Sequence, residues 1–133
     1  MSEVLQPPGW KRPRGYANGI ATSSGRQVFI AGQIGWTAEE IFEAHDLAGQ
    51  MRQALANVVT VLAEAGGKPE HVAQLTCFLT DKKRFLAEGK ACGEAHRAIF
   101  GKHYPATTMV EVTALMHDQA LIEIAAIAVI PER

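Results

Sequence analysis

Leu121-Ile122-Glu123-Ile124-Ala125-Ala126-Ile127-Ala128-Val129-Ile130 contains a single polar side chain, Glu123, in ten residues. So apolar a run is normally covered on both faces, as the central strands of a sheet are. A carboxylate inside it must be paired, protonated or turned toward a cavity.

Working back toward the N-terminus, Thr107–Leu115 also reads as a strand, separated from the first by the polar Met116-His117-Asp118-Gln119. Before it, Asp81 opens a helical region that runs to about Phe100, with Gly101 after it. Val72–Thr80 reads as a strand, because Leu75, Cys77 and Leu79 alternate with Gln74, Thr76 and Thr80. The clearest helix precedes it: Leu47, Met51, Leu55, Val58, Leu62 and Ala65 fall on one face at helical spacing. Asp46 is its expected N-cap and Gly66-Gly67 its stop. Tyr16–Thr22 and Gln27–Ala31 read as two short strands, and the turn chemistry of Ser23-Ser24-Gly25-Arg26 predicts a hairpin between them. Residues 1–14, rich in proline and basic residues from position 7, read as an irregular N-terminal segment.

The predicted order is ββαβαββ, an α+β fold with a mixed sheet and both helices on one face. Two helices cover only one face of a four- to six-stranded sheet. The apolar 121–130 strand therefore calls for a neighbouring subunit on the other.

All 133 residues are expected to form a single domain. The formal net charge of −1 supplies no field for nucleic acid or an anionic membrane. No apolar run approaches the ~20 residues that span a bilayer, and the N-terminus has no apolar signal core. Cys77 and Cys92 form no CxxC pair. A soluble, cytoplasmic protein is expected. Phosphate-loop, GxGxxG and GxSxG patterns are missing, which counts against nucleotide and serine-hydrolase chemistry.

Several stretches resemble the YjgF-like Rid (reactive intermediate deaminase) family, in the same order and spacing from about residue 14 to residue 130. They are Gly15-Tyr16, Val28-Phe29-Ile30-Ala31-Gly32-Gln33-Ile34, Gln53-Ala54-Leu55-Ala56-Asn57-Val58, Glu64-Ala65-Gly66, Tyr104-Pro105-Ala106, Val110-Glu111-Val112, Ile122-Glu123-Ile124 and Ile127-Ala128-Val129. The resemblance implies a chorismate-mutase-like fold and a homotrimer with three clefts between subunits. It also implies hydrolysis of reactive enamines or imines to a 2-keto acid and ammonia, without a cofactor. In the best-known members a cleft arginine directly after Pro-Ala binds the substrate carboxylate. A tyrosine, a serine before Gly-Gln, a cysteine and a glutamate complete that cleft. Tyr16 and Glu123 stand at the tyrosine and glutamate positions. Ala31 stands for the serine, Thr107 for the arginine and Met109 for the cysteine. Threonine cannot form the bidentate fork that holds a carboxylate.

Each candidate keeps a plain alternative. Glu123 either orients water and passes protons, or reaches solvent or a neighbouring subunit's cation. Tyr16 offers a hydroxyl and an aromatic wall, or packs on a strand. Thr107 and Thr108 donate hydrogen bonds, or serve strand packing. Gly32 and Gln33 bring backbone amides to the cleft, or Gly32 allows close backbone approach. Lys11-Arg12-Arg14 and Arg97 are candidates to replace the missing cation. The five histidines are not spaced as a metal site: His96 and His103 lie about 10 Å apart along a helix, too far to share an ion. Surface or helix-end roles are expected for the histidines, with His117 near the Glu123 strand. Cys77 reads as core, and Cys92 has no neighbour that would depress its pKa.

Two functions follow: a deaminase acting on an enamine, imine or amino-unsaturated acid such as 2-aminomuconate, or a non-catalytic trimer that binds a small metabolite. The ribonuclease role attached to some relatives fits poorly with the weak net charge.

Overall fold

The computed structural model describes residues 2–132. Its strands are β1 (Ser2–Leu5), β2 (Gly19–Thr22), β3 (Gly25–Ile34), β4 (Val72–Leu79), β5 (Ala106–Glu111) and β6 (Ile122–Pro131). Its helices are α1 (Leu47–Glu64), α2 (Lys82–Ala87) and α3 (Gly89–Phe100), and a 3-10 turn covers Pro69–His71. Four strands form a mixed sheet in the order β3-β6-β4-β5, in which only β4 and β5 run parallel. The apolar strand β6 is interior, as its composition requires. Among the described residues no helix is long and apolar enough to cross a membrane.

Helix α1 begins where Asp46 accepts a hydrogen bond from the Gly49 amide at 3.2 Å, satisfying an otherwise orphaned donor. Its apolar stripe packs on β3 and β6 and against α3. Leu55, Val58 and Leu62 are fully buried there, against Val72, Ile122, Ile124 and Ala128. Burying each such leucine contributes about 1.5–3 kcal/mol. Gln50, also buried, is fully satisfied: its Nε2 donates to Ala44 and Gln119 carbonyls and its Oε1 accepts from Leu121 N. That one side chain ties the loop before α1 to the loop before β6.

Four expectations need correction. The N-terminal residues are not all irregular, because Ser2–Leu5 pairs antiparallel with β2 as a separate two-stranded sheet. The hairpin between the second and third strands does not form. The two strands meet at the expected turn, but β2 pairs with β1 while β3 extends to ten residues and pairs with β6. The helical region 81–100 is two helices, broken at Glu88, whose carboxylate accepts from Arg84 Nε at 3.0 Å and from the Ala48 amide at 3.1 Å. The strand expected over 107–115 stops at Glu111, whose Oε1 accepts from the Lys82 amide at 2.7 Å.

Candidate functional site

Strand register divides the expected site residues into two groups. Residues directly opposite one another share a face, and successive residues alternate. Thr107 lies opposite Leu75, and Met109 opposite Cys77. Leu75 and Cys77 are buried under the helices, so Thr107 and Met109 are on the helix side. Glu123 lies opposite Phe78 and Ile34, between Ile122 and Ile124, which point into the core. Glu123 therefore projects from the other, uncovered face.

On the helix side a cavity of about 560 Å³ opens between the sheet and α3. Tyr16, Thr107 and Met109 all line it. Tyr16 arrives there because the Ala17 amide donates to the Pro105 carbonyl at 3.1 Å, and Ala17 bridges to Ala106. The N-terminal segment is thus laid along the start of β5. The Thr107 hydroxyl is already engaged, donating to the Pro105 carbonyl at 2.9 Å. Its remaining lone pairs can only accept. Met51 and Leu55 of α1 and Leu75 of β4 give the cavity apolar lining, and Arg14 and Arg97 line it as well.

Sequence reasoning missed two members of this wall. His96 is buried rather than at the surface, and its ring stacks on Tyr104 with centroids 4.8 Å apart and planes 1° from parallel. Its Nε2 lies 2.9 Å from the His103 carbonyl, which only accepts, so Nε2 carries the hydrogen. Desolvation by burial leads the causes that lower its pKa, with nearby His103 and Arg97 charges adding to it. The signal was in the sequence only as two histidines around a helix end. Cys92 also lines the cavity, but burial, then the charges of Glu88 and Asp46, push its thiol up to about 11. Burial pushes Cys77 up to about 12. Neither is a thiolate nucleophile at neutral pH.

On the uncovered face, Ala31 and Gly32 form a bulge: three steps along β3, from Ile30 to Gln33, match two along β6, from Ala126 to Ile124. A side chain at Gly32 would overlap the Glu123 carboxylate. Glycine is thus required for the acid to lie over the bulge. The Glu123 carboxylate makes no hydrogen bond or ion pair among the described residues. Beside it runs a shallow groove of about 400 Å³ lined by Phe29, Gln74, Thr76, Ala125 and Ile127. Phe29 is 70% exposed, a large aromatic surface left to solvent on a single chain.

Within one chain, then, Tyr16, Thr107 and Met109 come together, and so do Ala31, Gly32 and Glu123. The sheet separates the two groups. Helices on one face of a mixed sheet, with candidate site residues on both faces, define an α+β protein. Residues 11–130 match the family model described as endoribonuclease L-PSP, and the chain belongs to that family. It is 36% identical to a RutC family protein of Pyrococcus horikoshii, over 96% of this chain and 98% of that one. It is 33% identical to the 2-iminobutanoate/2-iminopropanoate deaminase of Salmonella typhimurium, over 86% of each. The solved structure of the Rid-family protein YyfB of Yersinia pestis superposes with a TM-score of 0.86 at 30% identity, covering 97% of this chain and 98% of that one.

Proposed function

We propose that the chain is a cofactor-free deaminase that hydrolyses the imine or enamine of a small amino-unsaturated acid, with Glu123 as its proton-transfer group. The observation that carries this reading is the Glu123 carboxylate, unpartnered and seated over Gly32 at the bulge. So held, it can take a proton from water as the oxygen attacks the imine carbon, then return it to the departing nitrogen. Water adds across C=N, the C–N bond breaks, ammonia leaves, and the carbon keeps the oxygen as a ketone. An enamine first gains a proton at carbon. No electrons change hands. The deaminase named among the relatives supports this reaction class, and a longer acid of the 2-aminomuconate kind falls within it.

The reading requires the two residue groups to meet. We place them in a cleft completed by a second copy, in a homotrimer that covers the Phe29 face of each chain with its neighbour. A ring of three heterologous contacts closes and uses each face once. The exposed Phe29 and the groove beside it support such a contact. The family's description as an endoribonuclease gains no support from a net charge of −1.

The test is 2-aminoacrylate or a longer imine generated in situ, with keto-acid release followed for wild type, Glu123→Gln and Thr107→Arg. Wild type should accelerate release, and Glu123→Gln should lose about 10²–10⁴-fold of that. No acceleration by wild type, with activity gained in Thr107→Arg, would overturn the reading. That outcome would favour the second reading, a trimer that binds a metabolite without turning it over. The observation behind this alternative is that the Thr107 hydroxyl is spent on its own Pro105 carbonyl.

A further inference from the structure

Arg97 and Arg14 both line the helix-side cavity, in a chamber whose other walls are mostly apolar and aromatic. Neither guanidinium has a hydrogen-bond or ion-pair partner among the described residues. The two carboxylates whose charges act on Cys92 in the cavity wall are engaged elsewhere: Glu88 is paired with Arg84, and Asp46 caps α1. Gly93, one turn before Arg97 on α3, lets the arginine fold back along its own helix. A methyl group at position 93 would stand 3.3 Å from Arg97 Nη1 and 3.7 Å from Nη2. Two cations facing one cavity repel each other, and an anion seated between them removes that repulsion. The Thr107 hydroxyl does not face the chamber as a donor, because its hydrogen is given to Pro105 O.

We propose that Arg97, assisted by Arg14, binds the carboxylate of an amphiphilic organic acid whose apolar part lies against Met51, Leu55 and Leu75. A cation is thereby supplied from α3 where position 107 carries a threonine, and the ligand is an anion. A guanidinium fork matches a carboxylate's two oxygens, and a mostly apolar chamber with few convergent polar groups is the usual form of a small-molecule site. The proposal rests on the reading above only in taking this cavity as the ligand chamber of the cleft. Its readout is equilibrium binding, so a protein that binds through Arg97 without turnover would end the deaminase reading and leave this one standing.

The test is calorimetric titration of the full chain with benzoate, with benzamide (the same ring without the charge) and with inorganic phosphate (the charge without the ring). Wild type should bind benzoate at least about tenfold more tightly than either comparison compound. Arg97→Gln should weaken benzoate about tenfold to a hundredfold and leave benzamide unchanged, which separates loss of the cation from loss of the chamber. Arg97→Lys should recover part of the affinity, and Arg14→Gln should weaken it less. Equal affinity of wild type for benzoate and benzamide, or for benzoate and phosphate, would overturn the proposal. So would an Arg97→Gln variant that binds benzoate as wild type does, or no benzoate binding by wild type up to about 20 mM.

Discussion

The carboxylate of Glu123 occupies the space that a side chain on Gly32 would need. Replacing that glycine by alanine forces either the acid or the bulge to move. Gly32→Ala should therefore fold, because position 32 is on the exposed strand β3, yet lose much of the activity that Glu123→Gln loses. A steady-state assay beside a thermal melt checks it. Full activity in Gly32→Ala would show that the position of Glu123 does not matter.

Phe29 projects from the face that the helices leave bare, and is mostly exposed. Placing a charge there puts it into any subunit contact made by this face, where an unpaired charge is costly. Wild type should scatter as about 43 kDa, three times the 14.4 kDa chain, and Phe29→Glu should shift toward the single chain. Wild type at 14.4 kDa would exclude the trimer.

Helix α1 supplies the core's main apolar stripe. Leu55→Ala empties a fully buried position and should cost about 2–5 kcal/mol of unfolding free energy. Asp46→Ala removes the cap on the Gly49 amide and should cost about 1 kcal/mol. Urea melts with unchanged slopes would show both as losses of stability rather than of cooperativity.

His96 gives the fold a pH dependence of known sign. Its folded pKa is lowered from 6.5, with burial the largest cause, so the unfolded chain binds the proton more readily than the native one. Its contribution to stability is complete above about 6.5 and falls as the pH drops from there through the lowered native value. Melting temperature should decline over that interval in wild type, and less steeply in His96→Gln. Identical slopes for the two would assign the acid sensitivity to other groups.

How far the sequence carries depends on what each residue reports. The stripe on α1 and the apolar run of β6 were readable because burial leaves a period in the sequence. Strand β1 was not, because all four residues of Ser2–Leu5 are exposed and leave no pattern. The break at Glu88 was hidden because the side-chain contacts to Arg84 and Ala48 that surround it join residues far apart in the chain as well as near. In the site, Tyr16, Thr107, Met109, Ala31, Gly32 and Glu123 could each be nominated, but not sorted onto two faces. That sorting depends on the register of β5 and β6 against β4, and a shift of one residue reverses it. The Gly32–Glu123 contact likewise appears only once the bulge is known.

We place the Glu123 face of one chain and the Thr107 side of another in a single cleft. Subunit complementation tests it most directly. Glu123→Gln, which lacks the acid, and Thr107→Trp, which fills the cavity, should each be inactive alone. Unfolded together in equal amounts and refolded, they should regain about a quarter of wild-type keto-acid release, the chance that a cleft draws an intact half from each. Mixed trimers that form and show no recovery, from a wild type that is itself active, would contradict the shared cleft.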